Sequence, residues 1–171
     1  MKKIFYLSPL GHLILIASEN QLVYCNWDTP DCIQKLKKIE KKISERERLL
    51  PEFLNQEEKV LELTILQLNE YFGGSRKSFT IPVELIGTDF QKTVWKAIRE
   101  IRYSETISYK LLAEATGFPG AFQAVAQACG ANPLAIIFPC HRVTANDGRL
   151  GGYTGGLDKK IALLNLERSF L

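Results

Sequence analysis

A chain of 171 residues with 46% hydrophobic and 24% charged side chains can bury a real core, as one large domain or two small ones, so disorder is not the default. The formal charge of +3 lies wholly beyond residue 84, because residues 1–84 balance 12 basic against 12 acidic side chains; the excess permits a polyanionic partner without demanding one. No stretch approaches the roughly 18 uninterrupted apolar residues of a membrane span. Four cysteines with no CxxC pair fit reduced thiols in a cytoplasmic protein better than a secreted scaffold.

The first residues, "MKKIFYLSPLGHLILIAS", imitate a secretory signal until Ser8-Pro9-Leu10-Gly11-His12 cuts the apolar run short. "KIFYL", "HLILIAS" and "LVYCNW", separated by "SPLG" and "SENQ", instead predict antiparallel hairpin strands. Residues 31–48 carry apolar positions near helical spacing on a charged background and predict a solvated helix. A second helix, from about Glu57 to Phe72, should end at Gly73-Gly74. "SFTIPVEL" reads as a strand and "IGTDF" as a linker, which sets a domain boundary between residues 84 and 85.

Beyond that boundary the texture is helical. "FQKTVWKAIREI" puts Phe90, Val94, Ala97, Ile98 and Ile101 on one side, and "SYKLLAEATG" and "AFQAVAQACG" flank "GFPG" with the length of a helix-turn-helix. Such pairs also occur in proteins that never touch DNA. The second helix has small residues at Ala121, Ala124, Ala126 and Ala128 and no Lys or Arg, whereas a major-groove reader carries side chains for base edges. It suits either close approach to a narrow groove or burial in a core.

"IIFPCHRV" at 136–143 then sets a thiol beside an imidazole. A cysteine nucleophile needs a base or positive surroundings, yet neighbours in an extended chain point apart, so a turn after Pro139 or a bridging water must connect Cys140 to His141. Glu167, lying around the last helix between Leu163 and Leu164, is the candidate carboxylate to fix the imidazole tautomer. The alternatives are a surface glutamate near Lys160 and a Cys140 that is only a small buried hydrophobe. His12, Cys25 and Cys32 lack a fourth His or Cys in their half, so no metal site is expected.

Taken together, "SYKLLAEATG", "NPLAIIFPCHRV" and "GRLGGYTGGLDKKIALLNLE" resemble the O6-alkylguanine-DNA alkyltransferases, or methylated-DNA–protein-cysteine methyltransferases. The resemblance is strong from about Thr88 to Arg168 and weaker before it. It implies an α+β chain: a ribonuclease-H-like α/β domain over 1–84 without nuclease chemistry, then a winged-helix domain over 85–171 carrying the active site. The implied activity is irreversible transfer of the alkyl group of O6-alkylguanine, with O4-alkylthymine as a second substrate, from a flipped base to Cys140. The implied partner is duplex DNA approached through the minor groove by a monomer, with no cofactor and no membrane.

By the same resemblance His141 takes the thiol proton through a water, Glu167 orients the imidazole, Asn132 ties down the turn before an active-site strand, and Tyr109 contacts the base or its 3′ phosphate. Phe122, Gln123, Ala124 and Ala126 would face DNA, and Val143, Gly151, Tyr153 and Thr154 would line the guanine pocket. The chain departs from the family at Gln123, where an arginine is usual, at Phe122, where a small residue is usual, and at Arg102 and Ser104, where proline and glycine are usual and which are expected to lie away from the motif. A cysteine hydrolase would use the same triad but would turn over. A damage-binding, alkyltransferase-like sensor would keep the fold without the reactive cysteine.

Overall fold

The computed structural model describes residues 1–47 and 56–171, and within them the chain divides into two compact units, Met1–Ile86 and Gly87–Leu171. In the first, β1 (Lys2–Ser8), β2 (Gly11–Ser18) and β3 (Gln21–Trp27) form an antiparallel sheet in that order, as the alternating runs predict. Ser8 Oγ closes the first hairpin, donating to Gly11 O at 2.6 Å and accepting from Leu10 N at 3.2 Å. Leu13 to Ser18 are buried without interruption, so both faces of β2 are covered.

Helix α1 (Pro30–Glu47) covers one face: Leu36 and Ile43 join Ile14, Ile16 and Tyr24 in one apolar cluster. The expectation of a solvated helix is therefore corrected to an amphipathic one, since Cys32, Leu36, Ile39 and Ile43 recur at three- and four-residue spacing. The predicted last residue, 48, lies outside the described residues. Helix α2 (Gln56–Phe72) packs against all three strands and stops where expected, with Gly74 in the left-handed region at φ 78°.

The strand expected over 78–85 is reduced to one parallel bridge, Val83 with Leu22, held by Leu22 N to Pro82 O at 2.9 Å and Glu84 N to Leu22 O at 3.0 Å. Two causes act together. Pro82 has no N–H for a ladder, and the Gln67 side chain captures Thr80, accepting from its N–H at 2.9 Å and donating to its hydroxyl at 2.8 Å.

The second unit opens on a capping box in the expected linker: Thr88 and Gln91 satisfy each other's backbone N–H at the start of α3 (Asp89–Arg99). Helices α4 (Tyr109–Ala115) and α5 (Phe122–Gly130) follow, with Ser108 capping α4. Helices α3, α4 and α5 pack on one another around Val94, Trp95, Ile98, Leu112 and Val125, and the Trp95 indole donates to Ala128 O at 2.7 Å. A two-stranded parallel sheet, β4 (Ile107–Ser108) with β5 (Val143–Thr144), joins the start of α4 to the segment after Cys140. Helix α6 (Leu157–Ser169) closes the unit, presenting Lys160, Leu163, Leu164 and Glu167 as its buried stripe. Among the described residues, no helix is long and apolar enough to cross a membrane.

Candidate active site

The expected active-site strand is not formed. Residues 134–138 make a turn in which Phe138 N donates to Leu134 O at 2.8 Å and Ile136 takes φ 72°. A buried β-branched residue in the left-handed region is strained, so the surroundings must enforce it. Asn132 is the main enforcer: its amide donates to Phe138 O at 2.8 Å and its carbonyl accepts from Leu134 N at 3.0 Å. The same amide nitrogen lies 3.2 Å from Cys140 Sγ.

Pro139 then starts a single 3₁₀ turn, Cys140–Arg142, in which Arg142 N donates to Pro139 O at 2.9 Å. Because the chain curls here, Cys140 and His141 do not alternate as they would on a strand. Cys140 is 8% exposed and His141 is fully buried. His141 Nε2 meets Glu167 Oε1 at 2.7 Å, and His141 Nδ1 is buried with no hydrogen-bond partner among the described residues.

The charge state of this pair follows from its neighbours. Burial alone would raise the Glu167 carboxyl, but hydrogen bonds and charge from His141 and Arg142 outweigh it and hold it well below the usual carboxylate range. An ionised carboxylate can only accept, which puts the imidazole proton on Nε2 and leaves a lone pair on Nδ1. Burial lowers His141 basicity, Glu167 opposes, and Arg142 and Lys160 push further down, so the ring is a neutral base.

Three groups at this centre escape sequence reasoning. Arg142 forks onto Glu167, with Nε to Oε2 and Nη2 to Oε1 both at 2.9 Å. Lys160 is fully buried and donates to Val143 O at 2.7 Å and to Leu150 O. Ser104, expected away from the motif, donates its peptide N–H to Glu167 Oε2 at 2.9 Å from φ 65°; Arg102 does lie outward, paired with Glu105 at 3.8 Å. One signal was available: Lys160, Leu163, Leu164 and Glu167 share the i, i+3, i+4, i+7 spacing of a buried stripe, which places both charges inward. The reading of Glu167 as a surface residue is thereby overturned, since it is fully buried.

The remaining predicted residues divide in two. Tyr109 sits over the glycine loop: its hydroxyl lies 3.4 Å from Gly152 O, and a Cβ on Gly151 would come within 2.9 Å of its ring. Gly151, at φ 65°, is the position where only glycine fits. Burial, then the charges of Cys129 and Cys140, push the Tyr109 phenol up to about 12, so it remains a donor at neutral pH. Thr154 Oγ donates to Gly130 O at 2.7 Å, tying this loop to the end of α5; Tyr153 O accepts from Gly156 N at 3.0 Å; and Val143, buried, caps the 3₁₀ turn. Phe122, Gln123 and Ala124 stand instead on the exposed start of α5, with Phe122 at 44% exposure, and Ala126 is half-buried. Among the described residues, no cluster of His, Cys, Asp or Glu could hold a metal ion.

Two family models match the chain: "6-O-methylguanine DNA methyltransferase, ribonuclease-like domain" over residues 1–85 and "6-O-methylguanine DNA methyltransferase, DNA binding domain" over residues 89–169. A methylated-DNA–protein-cysteine methyltransferase of Methanosarcina barkeri is 41% identical over 164 residues, 96% of this chain and 95% of the relative. One of Mycobacterium tuberculosis is 53% identical over 103 residues, 60% of this chain and 62% of the relative. A crystal structure of Mycobacterium tuberculosis OGT in complex with DNA superposes with a TM-score of 0.77 at 35% identity, covering 97% of this chain and 92% of that one.

Proposed function

The chain belongs to the 6-O-methylguanine DNA methyltransferase family, and from that premise we propose that it repairs DNA by moving the alkyl group of O6-alkylguanine onto Cys140, once per molecule. One observation carries this reading. A buried sulfur with an amide donor at 3.2 Å sits next in sequence to an imidazole whose Nε2 is held by a carboxylate and whose Nδ1 has no partner among the described residues.

In the reaction so read, the thiol proton passes to His141 Nδ1, through a water where the two do not touch. Glu167 keeps the other ring proton on Nε2 and stabilises the imidazolium. The sulfur attacks the alkyl carbon, an S–C bond forms as the C–O6 bond breaks, and the electrons of that bond go to guanine. The guanine anion is a poor leaving group, so a proton or hydrogen bond must reach the base as the C–O6 bond breaks; Tyr109, protonated at neutral pH, contacts it. The thioether product has no ready leaving group, so each chain acts once.

The finer assignments belong to the same proposal. Residues 85–171 carry the chemistry, and residues 1–84 form the ribonuclease-like domain without it. Helix α5 enters the minor groove, where small residues at Ala124 and Ala126 allow close approach, and Phe122 or Gln123 fills the gap left by the flipped base. Val143, Gly151, Tyr153 and Thr154 border the guanine pocket, and O4-alkylthymine is attacked by the same route. The protein works as a monomer in the cytoplasm, in keeping with four cysteines that form no disulfide. The test is transfer from an O6-methylguanine duplex: Cys140→Ser should retain binding and lose transfer, and transfer by that variant near the wild-type rate would sink the assignment.

A further inference from the structure

Glu167 is held by more than the imidazole it serves. Its carboxylate accepts from His141 Nε2 at 2.7 Å, from Arg142 Nε and Nη2 at 2.9 Å each, and from the Ser104 peptide at 2.9 Å. Arg142 is fixed on two further sides: Nη1 donates to Ile101 O at 2.6 Å, and the guanidinium lies 5.5 Å from the Tyr103 ring centroid. The guanidinium and the 101–105 turn therefore close around one buried carboxylate.

We propose that Arg142 is a positioning residue for alkyl transfer that acts through Glu167, aiming one carboxylate oxygen at His141 Nε2 and withholding part of its charge from the ring. The inference rests on the alkyl-transfer reading of the site. A bidentate guanidinium fixes the plane of a carboxylate, which a point charge does not. It also sets the electrostatic balance. Among the described residues, the charged groups acting on His141 are Glu167 and Lys160 from α6 and Arg142 from the 3₁₀ turn, and Cys140 precedes it in the chain. A carboxylate facing the ring alone would favour imidazolium, which cannot take a thiol proton. With Arg142 on the same carboxylate, the ring stays neutral and Nδ1 stays free to accept. Ser104 holds a left-handed backbone that L residues avoid, yet keeps its N–H on Glu167, as expected where a clamp over-determines the turn.

The experiment compares the full chain with Arg142→Met and Arg142→Lys, following the ¹⁵N resonances of His141 against pH and the pH–rate profile of transfer from an O6-methylguanine duplex. Arg142→Met should raise the ring's titration by about one to two units. The acid limb of transfer should move up equally, because protonation disables the base at a higher pH, and the neutral rate should fall by about 10²-fold. Arg142→Lys keeps the charge without the fork, so it should restore the titration and only part of the rate. An unchanged titration and acid limb in folded Arg142→Met would overturn the proposal. If that variant does not fold, Arg142→Lys decides alone: a wild-type rate, or a shifted titration, overturns it. A wild-type chain that leaves Cys140 unmethylated refutes the alkyl-transfer reading instead, while the titration still tests the clamp.

Discussion

Replacing Asn132 by alanine should cost the second unit a large part of its stability as well as the transfer reaction. The side chain is buried, and its contacts include Leu134 N, Phe138 O and Cys140 Sγ. Leu134 N–H would be left buried and unsatisfied at about 1–3 kcal/mol, whereas Phe138 O still accepts from Cys140 N, so its loss is nearer the ~0.5–1.5 kcal/mol of one exchanged bond. The total is about 2–4 kcal/mol once the released strain at Ile136 offsets the small cavity. For a unit of this size that lowers Tm by roughly 10–25 °C. Asn132→Asp separates the two roles. It keeps the acceptor for Leu134 N but turns the donor facing Cys140 Sγ into an anion, which disfavours the thiolate and should slow transfer further than the stability loss explains. Calorimetric melts and single-turnover transfer measure both. An alanine variant melting within about 2 °C of wild type would refute the accounting.

His141→Ala and Glu167→Gln should each slow transfer by roughly 10²–10⁴-fold, the range for a lost general base or its orienter, in single-turnover assays; a loss under tenfold in both would reject the relay. Stability should fall with acid in two stages, followed by denaturant midpoints. His141 is depressed from its ordinary 6.5 chiefly by burial, so its contribution is present above about 6.5 and drains below it; Glu167, depressed from 4.5, adds a second loss as pH falls below that value. His141→Gln should remove the first stage and leave the second. On the DNA face, Phe122→Ala should cripple repair of duplex but not of free O6-benzylguanine if Phe122 is the wedge, and Gln123→Arg should tighten duplex binding and steepen its salt dependence if Gln123 is. Equal losses on both substrates would exclude either residue as a wedge.

What could be read in the sequence was whatever local periodicity or turn chemistry carries. The three strands, the stop of α2 at its glycines and the α4–α5 pair follow from alternation, helical spacing and Gly-Pro turns. The Pro-Cys-His-Arg run marked the thiol and imidazole, and the stripe on α6 marked Glu167. What stayed hidden depends on bonds between residues far apart in sequence. Gln67 takes the backbone of Thr80 and spoils a strand; Ser104 reaches Glu167 across 63 positions by its peptide, which no side-chain pattern reveals. Arg142 looks like a surface cation in sequence, yet it is buried because a carboxylate and a backbone carbonyl receive it.

Mass spectrometry of the intact chain and its peptides after incubation with an O6-methylguanine duplex tests the central claim most directly. One methyl group should appear, on the peptide containing Cys140, in proportion to protein and with unmodified guanine left in the DNA. A methyl group on Cys25, Cys32 or Cys129, demethylation exceeding one equivalent of protein, or an unmodified Cys140 with the lesion intact would contradict the account.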